Sequence, residues 1–201
     1  MNVIQDIVCS IIIGGIVLAM LVGFNSNVVQ NASVQTIKVI SQSNLTAVTS
    51  ILDNEFSKMG YHILGARDSS IIYADSNKIK FIGDFSNQGK VDTITYSLNP
   101  SALSGQFNLN TRILSRTYSP QGSKSATESI NLGMTRFRLW YYDKRGSALV
   151  GNPISDPSQI KALKVAINIE STVPYKETTM PYLKLNPGVY WERIIKPKNL
   201  R

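Results

Sequence analysis

Few side chains in this chain could do chemistry, and their spacing narrows the choice further. Its 201 residues include one histidine, His62, and one cysteine, Cys9. A zinc site needs several Cys or His ligands, and a Ser or Cys nucleophile needs a base within reach. One histidine, with Cys9 inside an apolar run, completes neither set. No glycine-rich phosphate loop follows a strand-like segment. The expectation is therefore a protein that is not an enzyme and carries no cofactor. The segment DFSNQGKVD (84–92) has the outline of a calcium loop, with Gly89 at its turn. Such a loop wants Asp or Asn at its third and fifth positions and Glu at its twelfth, where this chain has Ser86, Gln88 and Thr95. An ordinary hairpin turn fits those residues better.

The one stretch whose residue types point to recognition is RFRLWYYDKR (136–145). In an extended strand Arg136, Arg138, Trp140 and Tyr142 would share one face, and Phe137, Leu139 and Tyr141 the other. Lys144 and Arg145 follow in the turn. Cations interleaved with aromatic rings can hold phosphates and stack bases, so a single-stranded nucleic acid is one candidate partner. The same residue types anchor protein interfaces, and that use is favoured because nothing else in the chain calls for nucleic acid.

These residues must be positioned by something, and the dominant element lies at the other end of the chain. Residues 7–24, IVCSIIIGGIVLAMLVGF, carry no charge, and Ser10 is their only polar side chain. At about 1.5 Å per residue a helix of this length covers roughly 27 Å, enough for a bilayer core, where only a helix or closed barrel satisfies the backbone. The preceding MNVIQD holds an acid and no base, unlike the n-region of a cleaved signal. The reading is a retained transmembrane helix over 1–24, contacting lipid through 7–24.

From Asn25 to Met59 there is neither proline nor glycine. Val28, Ala32, Ile37, Ile40, Leu45, Val48, Leu52, Phe56 and Met59 recur mostly three or four apart, the stripe of an amphipathic helix. Residues 25–60 are therefore an amphipathic continuation of the same helix, capped at Gly60. Residues 61–201 form a β-rich soluble domain. Strands are expected near 71–73, 78–85, 91–98, 112–118, 130–142, 161–170 and 189–195, with loops over 119–129, 151–158 and 174–188. With no helix between them, the strands should form an antiparallel sheet on which the amphipathic half lies, an α+β fold. The formal net charge of +8 gathers around 136–145 and at the C-terminal end rather than beside the span, so charge does not set the membrane orientation.

Taken together, the helix end ILDNEFSKMGY (51–61), GKVDTITY (89–96), FRLWYYDKRG (137–146), LKVAINIES (163–171) and the closing PKNL (197–200) resemble type IV pilin-like proteins. Minor pilins and the J-type minor pseudopilins of type II secretion are the nearest in kind. The resemblance implies a structural subunit held in the inner membrane by a single pass, with its domain extracytoplasmic, joining other pilin-like subunits at or near a filament tip. The alternative is a monomeric membrane-anchored binding domain, an adhesin or DNA receptor. Family members carry Glu at the fifth mature position; here Gln5 stands there with Asp6 beside it, and no basic leader precedes them. The resemblance therefore implies a sequence that starts at the mature end, or a branch without processing. The assembly residues it suggests are Gln5, Asp6, Gly14 and Gly15.

Overall fold

The computed structural model describes residues 3–63, 69–103, 108–172, 175–176, 184–185 and 187–200. A single helix, α1 (Val3–Ser57, 55 residues), runs unbroken through Gly14, Gly15 and Gly23 and is about 82 Å long. Its Ser and Thr side chains fold back on it. The hydroxyls of Ser10, Ser33, Thr36, Thr46 and Thr49 each donate to the carbonyl four residues earlier. The helix ends where Gly60 takes φ 73° and donates its amide to the Ile82 carbonyl at 2.9 Å. A β-carbon at Gly60 would collide with the Asn199 carbonyl and the Ser70 hydroxyl, so the closing residues of the chain also require glycine here.

Among the described residues ten strands follow: β1 (Ile71–Ala74), β2 (Lys78–Gly83), β3 (Asp92–Leu98), β4 (Leu114–Ser119), β5 (Ala126–Ile130), β6 (Met134–Tyr142), β7 (Ala162–Glu170), β8 (Tyr175–Lys176), β9 (Lys184–Leu185) and β10 (Gly188–Ile195). Every pairing is antiparallel. Where one sheet was expected, there are three. The first is a five-stranded meander β1-β2-β3-β4-β5, the second has the order β10-β7-β6, and β8-β9 is a two-stranded ribbon. The break between the first two falls at Gly133, φ 77°, where a β-carbon would strike the Glu170 carbonyl. A single turn there, with the Glu170 amide donating to the Gly133 carbonyl, redirects the chain from the edge of one sheet into the next.

Two expected loops contain strands. Residues 126–129, placed in a loop because Ser, Gly and Lys crowd the segment, pair with β4 together with Ile130, in register from Leu114↔Ile130 to Tyr118↔Ala126, so the strand expected over 130–142 is split between β5 and β6. Both faces of β5 are exposed apart from half-buried Ile130, so no apolar alternation marks it. The ribbon β8-β9 lies inside the expected loop 174–188, most of which is outside the described residues, as are residues 64–68 of the segment leaving the helix.

The core forms where α1 meets both larger sheets. Leu45, Val48, Leu52, Phe56 and Met59 are buried against Phe81, Ile94 and Tyr96 of one sheet and Leu139, Val165 and Ile167 of the other. Phe56 stands edge-on to Phe81 and Tyr96, with ring centroids 5.4 and 5.6 Å apart. The apolar stripe is thus divided in its use. Burial starts at Ser41, whereas Val28, Ala32 and Ile40 remain exposed and Ile37 is half-buried, because the sheets end before the helix does. The architecture is α+β, a long N-terminal helix on antiparallel strands, as the resemblance implied.

One polar cluster sits inside this core. Glu55 is 8% exposed and accepts from the Tyr96 hydroxyl at 2.5 Å and from the Arg116 guanidinium at 2.5 to 3.2 Å. The bond to Glu55 raises the Arg116 pKa, and burial followed by the Glu55 charge raises that of the Tyr96 phenol. At the other sheet, Asp53 pairs with Arg193 of β10.

Two outcomes test this packing. Replacing Leu52, 1% exposed, by Ala should destabilise the domain by about 3 kcal/mol in a urea titration of a fragment beginning at Ser26. An unchanged midpoint would mean that α1 does not dock. Arg116→Met strands the Glu55 carboxylate and should cost about 3 kcal/mol, whereas Arg116→Met combined with Glu55→Leu should recover most of that loss.

Candidate functional site

The strand β6 carries the predicted recognition residues, and its burial alternates as expected. Phe137, Leu139 and Tyr141 are buried; Arg136 and Arg138 are exposed; Trp140 and Tyr142 are half-exposed. The register adds neighbours from β7 and β10 that the sequence did not place. Arg136 lies opposite Asn168, which lies opposite Tyr190; Trp140 lies opposite Lys164, which lies opposite Ile194. The Lys164 ammonium sits 4.7 Å from the centre of the Trp140 ring and 2.9 Å from Glu192, and the Arg138 guanidinium is 5.4 Å from the same ring. The Tyr190 hydroxyl and then Lys164 hold the Glu192 carboxyl below the usual range, while Glu192 raises Lys164. Trp140 is therefore already engaged by two cations, and a base stacked there would have to displace one of them.

Lys144 and Arg145 stand apart from this face. They occupy the turn after β6, where Asp143 accepts from the amides of Arg145 and Ser147, both at 2.8 Å, and both side chains are exposed. Another cation joins instead. Arg112, whose Nη1 donates to the carbonyls of Leu109 and Thr111, borders the same depression as Arg136, Asn168 and Tyr190. No local signal ties residue 112 to residue 136. The hydrogen bond from the Arg112 amide to the Met134 carbonyl brings them together.

The four helix residues remain dispersed along solvent-facing α1. Asp6 is exposed in the first turn, where its charge suits the helix dipole, and its backbone carbonyl accepts from Ser10. Gln5 beside it points about 100° further round. A β-carbon on Gly14 or Gly15 would meet nothing within 4 Å. From Val3 to Val29 every residue is exposed, and this is the one helix among the described residues long and apolar enough to cross a membrane.

The 84–92 segment uses its carboxylates inwardly. Asp84 and Asp92 are each 1% exposed. Asp84 accepts from the Gln88 and Gly89 amides at 3.0 and 2.8 Å, and Asp92 from the Ser86 amide and the Tyr118 hydroxyl at 3.2 and 2.9 Å. Both acids thus close the turn from within, with Asn87 at φ 55° and Gly89 at φ 71° at its tip. Among the described residues no three His, Cys, Asp or Glu side chains converge as a metal site.

Burial pushes the Asp84 carboxyl up, but the Gly89 and Gln88 amides and His62, 3.6 Å away, outweigh it and hold the pKa below its ordinary value. The folded value lies below the unfolded one, so the stabilisation is complete above about pH 4 and disappears as pH falls through the lowered folded value. Asp84→Asn should therefore lower the melting temperature at pH 7, and the gap to the unsubstituted chain should shrink as acid is added. A gap independent of pH would mean that the charge of Asp84 plays no part.

No family model matches the chain, and no curated protein matches it. Among solved structures it is similar to a type IV-like pilin from Thermus thermophilus, with 16% identity over 79% of this chain and 97% of that one and a TM-score of 0.47.

Proposed function

We propose that this chain is a structural, non-catalytic pilin-like subunit. It is anchored in the inner membrane through residues 7–24, carries its domain on the extracytoplasmic side, and assembles with other pilin-like subunits as a minor component at or near a filament tip. One observation carries the reading. A single unbroken helix presents an uncharged, wholly exposed apolar surface at one end and is locked into a folded domain at the other. Such a surface needs an apolar surrounding, which lipid supplies first. Neighbouring helices can replace lipid at little cost, since both bury the same side chains. Because the domain is fixed to α1 through Leu45, Val48, Leu52 and Phe56, moving the helix from lipid into a bundle moves the domain with it. Among the motifs singled out from the sequence, those at the helix end and in β3, β6 and β7 all contribute to that junction.

Within a bundle, Gly14 and Gly15 would allow close approach of another helix. Asp6 would meet a positive group of a neighbour, the free amino terminus being the natural one, while Gln5 could offer only hydrogen bonds. A charge buried among apolar helices is costly unless paired, so the pairing would fix axial register as well as orientation.

Photo-cross-linkers placed at positions 14–24 in native membranes test the proposal. Adducts with other membrane-helix proteins or with copies of the chain are expected, and Asp6→Ala should abolish co-purification of those partners while leaving membrane insertion intact. Adducts with lipid alone would favour the lone anchored binding domain. Partners retained by Asp6→Ala would reduce Asp6 to a hydrated end residue.

A further inference from the structure

Three depressions of about 390, 310 and 230 Å³ lie end to end along β6 and share walls. Thr135 and Arg136 stand between the first and second, Ser76 and Arg138 between the second and third. Arg112 borders the first and Trp140 the third, so the groove follows the strand from Thr135 to Tyr141, about 23 Å. Its arginines are free of ion pairs among the described residues. The ion pairs among the described residues engage His62, Arg116, Lys164 and Arg193, and none engages Arg112, Arg136 or Arg138. Among the described residues that line the groove, the carboxylate is Glu170, and it is held by neutral donors: Asn108, Thr135 and Asn168.

The ends of the groove are apolar. Leu109, 72% exposed, adjoins the Arg112 end, its carbonyl gripped by the Arg112 guanidinium. Val150, 94% exposed, stands between Leu149 and Gly151, which line the Trp140 end. Large aliphatic side chains at the two ends of a charged groove suit contact with a protein segment better than with a phosphate backbone.

We propose that this groove receives an extended, acidic segment of a partner protein, with carboxylates on Arg136 and Arg138 and apolar side chains on Leu109 and Val150. Alternate side chains of a strand repeat every 6.8 Å or so, the spacing at which β6 itself presents Arg136 and Arg138, so a segment laid along β6 meets both arginines with alternate residues. Guanidinium groups take carboxylates in two-pronged geometry, which a partner with Asp or Glu at those positions would exploit. The Arg138 and Lys164 cations over Trp140 leave that ring better suited to frame the segment than to stack a base.

The inference concerns the sheet face and does not depend on how α1 assembles, so it is tested on the full chain alone in detergent micelles. The probe is a fluorescein-labelled peptide with Glu at alternate central positions and Leu at both ends, followed by anisotropy. Binding should appear at low salt, weaken as salt is raised, and fall about tenfold or more in Arg136→Ala/Arg138→Ala at an unchanged melting temperature. Lys144→Ala/Arg145→Ala, which removes the same charge from the turn beyond the groove, should bind as the unsubstituted chain does. The peptide with Gln in place of Glu should not bind. No binding at low salt, or equal loss in the two double variants, would overturn the groove. Tighter binding of a single-stranded oligonucleotide that displaces the peptide would overturn the protein occupant.

Discussion

The structure turns on a carboxylate that has nowhere else to go. Glu55 sits on the face of α1 that carries Leu52 and Phe56 into the core, and an unpaired charge there would cost several kcal/mol. Tyr96 of β3 and Arg116 of β4 meet it from one sheet, while Asp53, two residues back, reaches Arg193 of the other. Each helical residue turns the face by about 100°, so a rotation of α1 by one position would bury a different side chain and leave Glu55 and Arg116 both stranded. Apolar contacts hold the helix down. The ionic ones decide which way it faces and how far along the sheets it lies.

A long helix of mixed surroundings poses the opposite problem, since its first part lies outside the domain and is rich in Ser, Thr, Asn and Gln beyond the apolar run. The back-bonded hydroxyls answer part of it. With Ser33, Thr36 and Thr46 donating to their own backbone, those positions ask little of a neighbour and tolerate water or a protein surface equally. The exposed valines and isoleucines between Val28 and Ile40 then supply the apolar contact area of a stretch that is not lipid-like. Two different surfaces share one continuous backbone, and the passage between them needs no break.

Much of this was legible in the sequence. The alternation of β6 named its inward residues correctly, because the strand packs one face on a core and the period of two is then enforced. The helix was legible because nothing in it breaks a helix. What escaped depended on partners distant in the chain. β5 carries no apolar alternation, being exposed on both faces, and exists because β4 offers it a ladder. The amphipathic stripe gave no sign that its first turns lie beyond the sheets. On the exposed face of β6, Arg136, Arg138, Trp140 and Tyr142 were visible as a set, but the second cation on Trp140, Lys164, and the Arg112 that borders the same depression as Arg136 are brought in by strand pairing and turns.

The contact between Gly60 and the closing residues bears on how the chain matures. Asp53 and Arg193 are 140 positions apart, Ile195 is part of the core, and Asn199 lies against the end of α1. The helix is thus completed by residues about 140 positions further along the sequence. While the intervening strands emerge, the helix face bearing Leu45, Val48, Leu52 and Phe56 has only the first sheet to rest on, and the edge of β7 stays open until β10 arrives. Non-local closure of this kind is slow, and an unpaired strand edge beside an uncovered apolar face invites the wrong partner. The interval between the emergence of Glu170 and that of Ile195 is the one in which the domain most needs protection from its neighbours.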